Sequence, residues 1–181
     1  MGLSNPYTGY SISFVLKPLP IFTTIPRDAE GLNSLLLPLI DKYRKENEES
    51  HSSNVRCNWR SNWEIHKLPE FQFFNEWILQ HIQDVCSYHL SIPSISFKIM
   101  NEWIMQYEEG DYAIPHEHFP HTLSIIYYAD CDDNAAPVIF ENDISIQPEV
   151  GKLIIFPSNI SHQVKQTKGR RTVVSLNVNG Q

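Results

Sequence analysis

The sequence has little cysteine, and this shortage narrows the class of protein it can be. Only three cysteines occur in 181 residues, at Cys57, Cys86 and Cys131, and they form no Cys-x-x-Cys pair. An odd number without such a pair indicates free thiols rather than a disulfide framework. We therefore expect a protein of a reducing compartment, the cytoplasm.

Positive charge and long apolar runs are also scarce. Fourteen Lys and Arg residues face twenty-one Asp and Glu residues, which gives a net charge of −7 with histidines neutral. This balance disfavours a nucleic-acid backbone as the main partner, although Lys165, Lys168 and Arg170 keep that possibility open. No run reaches transmembrane length, and the apolar stretch from Ser11 to Phe22 is interrupted by charge and proline, so we expect neither a membrane segment nor a secretory signal.

What is present is the composition of a globular domain. Hydrophobic residues make up 41% of the chain and aromatic residues 12%, and 181 residues can bury a sizeable core. We predict one domain over 1–181, with a supporting part at 1–94 and a core at 95–181. The supporting part has a strand-like run from Ser11 to Leu16, then helical spacing from Asp28 to Asn47, with a kink or split at Pro38.

A second helical pattern runs from Leu68-Pro69-Glu70 to about Leu90, and from Ile95 the period changes to two. Short strands are then predicted between turn signals, at Ile114–His118, Leu123–Ala129, Val138–Glu141, Ile144–Gln147, Lys152–Pro157, His162–Lys165 and Arg171–Val178. Helices followed by many short strands indicate an α+β protein that ends in a sandwich or barrel.

Histidine is concentrated where this strand region begins. Three of the eight histidines, His116, His118 and His121, fall within six residues. Because side chains alternate along a strand, His116 and His118 share a face and Glu117 points to the other. Two imidazoles on one face are a natural first half of a metal site, and His162 is the best candidate for a third ligand. Imidazole suits iron, zinc, copper and nickel, so these residues do not choose the metal.

Four motifs in order give the region from Trp103 to Asn179 a resemblance to a known family. The first is Tyr107-Glu108-Glu109-Gly110-Asp111, nine residues before His116, and the second is Ser124-Ile125-Ile126-Tyr127-Tyr128. The third is Gly151-Lys152-Leu153-Ile154-Ile155-Phe156-Pro157, and the fourth is His162 followed by Arg171 and Ser175. Together they resemble the 2-oxoglutarate- and Fe(II)-dependent oxygenases, most closely the prolyl-hydroxylase-like group of phages and bacteria.

The resemblance implies a fold, two cofactors and a set of site residues. The fold would be a double-stranded β-helix, the cupin-like jelly roll, with the N-terminal helices packed outside it. His116, His118 and His162 would be the catalytic residues that bind Fe(II). Residues that would bind 2-oxoglutarate are Arg171, Tyr128, Ser175, Tyr107 and Ser124, and Trp103 and Asn177 would lie on the substrate side. The planar fork of an arginine suits the far carboxylate of 2-oxoglutarate.

The activity implied is a dioxygenase reaction. Decarboxylation of 2-oxoglutarate to succinate would be coupled to hydroxylation of a C–H bond, with dioxygen as the oxidant. The substrate would be a prolyl residue in a protein or peptide, or else a free amino acid or other small molecule. The cytoplasm that the cysteines indicate would be that of a host cell if the chain is phage-encoded. It leaves monomer and homodimer equally open.

The sequence departs from the family at one ligand, because most members have His-x-Asp or His-x-Glu where this chain has His116-Glu117-His118. His118 can complete a three-histidine site, Glu117 can do so after a local twist, or the site is degenerate. Two other functions stay open: a non-catalytic cupin-like metal-binding protein, and a three-histidine dioxygenase that does not use 2-oxoglutarate.

Overall fold

The computed structural model describes residues 19–51, 53–88 and 95–181 of the protein. The predicted strand Ser11–Leu16 lies outside these residues. In the described part, two α-helices precede most of the strands: α1 (Ala29–Glu46) and α2 (Gln72–Tyr88). Two short 3₁₀ turns, Ile65–Lys67 and Pro69–Phe71, lead into α2.

Helix α1 is continuous through Pro38, so the predicted split at this proline is wrong. Pro38 is exposed, while Leu32, Leu36 and Ile40 on the opposite side are buried. The backbone bond that proline removes is therefore lost on the side where water can replace it, and the buried face of the helix continues on both sides of Pro38.

The strands form two antiparallel sheets, and the predicted α+β jelly roll is confirmed. The major sheet has the order β1-β9-β6-β11-β4-β3, and the minor sheet has the order β2-β5-β10-β7-β8. The strands are β1 (Phe22–Thr24), β2 (Val55–Arg56), β3 (Trp59–Arg60), β4 (Phe97–Tyr107), β5 (Tyr112–His116), β6 (Leu123–Cys131), β7 (Val138–Phe140), β8 (Ser145–Ile146), β9 (Leu153–Pro157), β10 (His162–Val164) and β11 (Arg171–Gly180).

The major sheet separates two apolar cores. On its outer face, residues such as Leu36, Phe74 and Ile104 pack the helices against the sheet. On its inner face, residues such as Tyr107 and Phe156 fill part of the space toward the minor sheet. The helices therefore lie outside the double-stranded β-helix, as predicted, and the inner space between the sheets is where a site can form.

A bulge in β4 decides which of its side chains face that inner space. Asn177 pairs with Asn101 and the next residue, Val178, pairs with Ile99, so Met100 has no partner on β11. One extra residue moves every following side chain to the other face. Ile99 consequently packs in the outer core, whereas Trp103 and Tyr107 pack in the inner one, although all three have the same parity in the sequence.

Candidate functional site

The structure brings His116, His118 and His162 together at one end of the minor sheet. His116 is the last residue of β5 and pairs in register with His162, the first residue of β10. His118 lies two residues beyond β5, and its backbone N–H donates to the carbonyl of Ser158 at 2.7 Å. One potential ligand atom from each of the three residues lies within 4.8 Å of the others.

The hydrogen bonds of two of these rings fix which nitrogen can bind a metal. Nδ1 of His116 lies 2.7 Å from the carbonyl oxygen of Ile114, and Nδ1 of His162 lies 3.1 Å from that of Ile160. A carbonyl oxygen only accepts, so both Nδ1 atoms carry the proton and both Nε2 atoms keep a lone pair. A second hydrogen bond of this kind is the usual support of a metal-binding histidine.

Burial keeps the three imidazoles neutral. Burial, together with smaller contributions from His162 and His116, lowers the pKa of His118 to about 3. Burial and a smaller contribution from His116 lower the pKa of His162 to about 4. The pKa of His116 is lowered by burial as well. A metal ligand must be the neutral imidazole, so the three rings are in the protonation state that binding requires.

The alternative ligand Glu117 is exposed and takes no part in the cluster of potential ligand atoms. His121 does not belong to this cluster either, and its Nε2 is 3.4 Å from Nδ2 of Asn101. Strand β5 ends at His116 rather than at His118 as predicted, yet the alternation expected of a strand still describes how these residues point.

The histidines open into a cavity between the two sheets. Besides the three histidines, its lining includes the predicted residues Arg171, Tyr128, Ser175, Tyr107, Ser124 and Trp103. Apolar side chains such as Met105, Val138 and Phe156 make up much of the rest. No Asp or Glu is among the described residues that line this cavity. It is therefore a largely apolar pocket that carries positive charge.

Arg171 supplies part of that charge from the start of β11. Its guanidinium lies 4.2 Å from the ring centroid of Tyr107 and 5.8 Å from that of Tyr128, and Nη1 donates to the carbonyl of Ala136 at 2.7 Å. Its Nε is buried and has no hydrogen-bond partner among the described residues. An unpaired buried donor of a cation is costly unless an anion reaches it.

Asn177, by contrast, does not line the cavity. It is buried in a polar chain in which Ser124 Oγ donates to Asn177 Oδ1 at 2.6 Å and Asn177 Nδ2 donates to Asn101 Oδ1 at 2.8 Å. Ser124 Oγ is also 2.8 Å from Ser158 Oγ. Because Ser158 holds the backbone of His118, this chain connects the cavity wall to the segment that carries the third histidine.

Arg60 and Trp63 also line the cavity, and neither was predicted as a site residue. Trp59 is 2% exposed and packs in the outer core, whereas Trp63 is 40% exposed at the cavity. Strand β3 has two residues, too few to show a period in the sequence.

The architecture matches solved structures of 2-oxoglutarate–Fe(II) oxygenases of the prolyl-hydroxylase group. A prolyl hydroxylase from Trichoplax adhaerens, solved with a hypoxia-inducible-factor degradation-domain peptide, has a TM-score of 0.69 at 16% identity, over 88% of this chain and 83% of its own. The prolyl 4-hydroxylase of Pseudomonas putida has a TM-score of 0.63 at 12% identity, over 88% and 92%.

A viral collagen prolyl hydroxylase from Paramecium bursaria Chlorella virus-1, solved with 2-oxoglutarate, has a TM-score of 0.61 at 14% identity, over 90% and 96%. No protein-family model matches the sequence, and no curated protein does. At these identities the likeness establishes the fold. Within the described residues no helix is long and apolar enough to cross a membrane.

Proposed function

We propose that this protein is a 2-oxoglutarate- and Fe(II)-dependent dioxygenase that hydroxylates a C–H bond of its substrate. One observation carries the proposal. A cluster of three neutral histidines and a buried guanidinium with an unpaired Nε–H line the same cavity of a prolyl-hydroxylase fold.

The three histidines fit a divalent transition metal. Each offers one nitrogen within a small common space, and two of the rings are held by backbone carbonyls in the tautomer that leaves Nε2 free. Imidazole ligands suit iron, and three of them leave positions for other ligands. We therefore assign His116, His118 and His162 as the residues that would hold Fe(II). Bound iron would supply the activation of dioxygen that couples decarboxylation of 2-oxoglutarate to hydroxylation.

The protein's own residues would bind the cosubstrate and keep water out. Arg171 would pair with the far carboxylate of 2-oxoglutarate, since its Nε–H lacks any other partner in the described structure. Hydroxyls of Tyr128 and Ser175 stand on the same wall and can donate to the same carboxylate. Three neutral ligands also leave the site one charge more positive than two histidines and a carboxylate would, which favours an anionic cosubstrate.

Arg171 also separates this proposal from its two alternatives. Neither a non-catalytic metal-binding protein nor a dioxygenase that does not use 2-oxoglutarate needs a buried guanidinium that faces the metal cavity. For the substrate, the Trichoplax relative was solved with a peptide. A prolyl residue in a peptide and a free small molecule are both compatible with the proposed reaction.

The proposal is tested by succinate release. Protein loaded anaerobically with Fe(II) and 2-oxoglutarate is exposed to oxygen, with and without proline-containing peptides and free amino acids. We expect succinate that requires both iron and oxygen and that is absent in His162→Ala. Wild-type protein that binds both iron and 2-oxoglutarate, yet never releases more succinate than His162→Ala, would contradict the proposal.

A further inference from the structure

The polar chain formed by Ser158, Ser124, Asn177 and Asn101 crosses the inner face of the major sheet. Asn177 on β11 pairs in register with Asn101 on β4 and with Ser124 on β6. Ser158 directly follows β9, and its Oγ is 2.8 Å from Ser124 Oγ. Ser124, Ser158 and Asn177 are each no more than 2% exposed. Polar groups buried at this depth cost stability unless they are hydrogen-bonded, so the position of each one depends on its neighbours in the chain.

The hydrogen bonds of the polar chain all run in one direction. Ser124 has a single O–H, which it donates to Asn177 Oδ1 at 2.6 Å, so the hydroxyl of Ser158 donates to Ser124. Asn177 Nδ2 donates to Asn101 Oδ1 at 2.8 Å, and Asn101 Nδ2 lies 3.4 Å from His121 Nε2. An amide nitrogen only donates, so this Nε2 accepts. In such a sequence of donors, each bond strengthens the next one.

Both ends of the polar chain attach to the turn that begins at His118. At one end, the carbonyl of Ser158 accepts the backbone N–H of His118 at 2.7 Å. At the other end, Asn101 contacts His121, whose own backbone N–H donates to the carbonyl of His118 at 3.1 Å. The polar chain and the turn therefore form a closed ring. This ring ties the turn to three neighbouring strands of the major sheet.

His118 depends on such support more than the other two histidines do. His116 and His162 belong to paired strands, and Nδ1 of each ring donates to a backbone carbonyl. His118 lies beyond the end of β5, and within the described residues its ring makes contacts with other rings, such as that of Trp103, but no hydrogen bond. The position of this imidazole is therefore set through its backbone, which Ser158 holds.

We infer that the polar chain positions His118 as the third metal ligand, and that Asn177 at its centre is a positioning residue. Asn177 acts through Ser124 and Ser158 and does not itself contact the metal or the substrate. Its role thus differs from the substrate contact that the resemblance implied. The inference rests on the proposed function for the assignment of His118 as a ligand. Groups that orient a metal ligand in this way contribute measurably to metal affinity.

The first test is a double-mutant cycle between Asn177 and His118. Fe(II) affinity is measured anaerobically, by competition with a chromogenic chelator, for wild-type protein, Asn177→Leu, His118→Ala and the double variant. Leucine is similar in size to asparagine and makes none of its hydrogen bonds. Ser158→Ala enters the same cycle as a milder change, because it keeps the carbonyl that holds His118. Asn33→Leu is the matched control, since Asn33 is a buried amide of α1 with two hydrogen bonds to β6.

We expect Asn177→Leu and Ser158→Ala each to lower Fe(II) affinity about tenfold or more, as the loss of a ligand's support does, and Asn33→Leu to leave it unchanged. In the His118→Ala background neither change should have a further effect, because the ligand that they support is gone. If Asn177→Leu does not fold, Ser158→Ala decides alone. Wild-type affinity in the variants would overturn the inference. An equal loss with and without His118 would also overturn it, because the polar chain would then support the fold and not this ligand.

A second test distinguishes failure of this inference from failure of the proposed function. Amide hydrogen exchange is followed by NMR in the metal-free protein, and the N–H of His118 is compared with the amides of β10. Both variants should accelerate exchange at His118 about tenfold or more relative to β10, because the turn opens more readily. If wild-type protein binds no Fe(II), this acceleration would still support the positioning of His118 while the proposed function fails. Unchanged exchange at His118 would reject the inference whether or not the protein binds iron.

Discussion

At the scale of single residues, His118 is where this protein departs from the usual two-histidine, one-carboxylate site. We expect His118→Ala to lower iron affinity as much as His116→Ala does, at least about a hundredfold, since loss of a mere supporting partner already costs 10–100-fold. His118→Asp should retain binding, because a carboxylate can reach the same position. Glu117→Ala should have little effect, because its side chain is exposed.

Iron content and affinity of these four variants, measured anaerobically, check the assignment. Full iron binding in His118→Ala together with loss in Glu117→Ala would make Glu117 the ligand. Full binding in both would leave His116 and His162 as the protein ligands.

Arg171 is the residue that we propose binds the far carboxylate of 2-oxoglutarate. Arg171→Met should weaken 2-oxoglutarate binding by roughly 2–5 kcal/mol, the cost of removing one partner of a buried charge pair, and should leave metal affinity nearly unchanged. Calorimetry on Mn(II)-loaded protein measures both. Arg170→Met is the matched control, because the neighbouring side chain is exposed. Equal affinities in the two variants would show that the cosubstrate pocket is assigned to the wrong arginine.

Glu102 gives the folded protein a pH dependence that is independent of the metal. It is fully buried on the outer face of the major sheet, neither carboxyl oxygen has a partner among the described residues, and burial raises its pKa from 4.5 to about 8. Between these two values the folded state holds a proton that the unfolded state releases. The contribution of Glu102 to stability is therefore fully present below about pH 4.5 and is lost as pH rises toward about 8.

We expect Glu102→Gln to reduce this dependence. One pKa unit corresponds to about 1.4 kcal/mol, so the wild-type free energy of unfolding should fall by up to about that amount per pH unit across the window, and the variant's should change less. Urea unfolding of both proteins between about pH 5 and pH 8 measures it. Parallel curves for the two proteins would mean that Glu102 is ionised in the fold.

At the scale of elements, the sequence allowed the strands and helices to be predicted, but not the points where one residue shifts the register. The two-residue period placed strands close to the observed β6, β9 and β11. Strict alternation would put Ile99 and Trp103 on one face of β4, which the bulge at Met100 contradicts. It would put Glu102 on the opposite face with Lys98 and Gln106, yet Glu102 is buried. A bulge leaves no mark in hydrophobic alternation, because the extra residue reads as one more step of the strand.

The candidate site was likewise predictable only in part. The histidine pattern and the spacing from His162 to Arg171 led to predicted site residues that the structure places around one cavity. Arg60 was not predicted as a site residue, because its position at the cavity depends on the pairing of β3 with the part of β4 that faces the cavity. Asn177 was assigned to the substrate side by resemblance; it shares a face of β11 with Arg171 and Ser175, but it lies beyond the cavity lining, where it hydrogen-bonds with Ser124 and Asn101.

A second irregular point, on β6, connects the sheet to α1. Thr172 and Val173 pair with Asp130 and Tyr128, so Ala129 between them is skipped on β11. Its carbonyl instead accepts a bond of 3.0 Å from Asn33 Nδ2, and the hydroxyl of Tyr127 donates to Asn33 Oδ1 at 2.8 Å. One buried amide of α1 thus satisfies two polar groups of the strand.

Asn33→Ala should destabilise the protein by about 1–3 kcal/mol, because two buried polar groups lose their partner. Metal and 2-oxoglutarate affinities should not change, since Asn33 lies on the far side of the sheet from the cavity. Ser34→Ala, at an exposed position of the same helix, is the control and should have a small effect. Denaturant unfolding measures the difference, and equal stability of the two variants would mean that the Asn33 contacts are replaced by water at no cost.

At the scale of the whole molecule, we propose that residues 1–181 form one domain, in which the helices support the sheet that carries the site. Residues of α1, α2 and the major sheet share one apolar core. Residues of β4, β6 and β11 pack in this outer core, and the inner faces of the same strands provide much of the cavity wall, including Tyr107, Tyr128 and Arg171. Binding would then depend on a preformed cavity rather than on ordering of loops.

The central claim is that the three-histidine centre and Arg171 bind Fe(II) and 2-oxoglutarate together in one cavity. It is tested most directly by anaerobic titration of Fe(II)-loaded wild-type protein with 2-oxoglutarate, followed through the metal-to-ligand absorption band of the chelated 2-oxo acid. We predict a band that saturates at one 2-oxoglutarate per protein and is lost in His162→Ala. Wild-type protein that retains its iron and shows no band at any 2-oxoglutarate concentration would contradict the account.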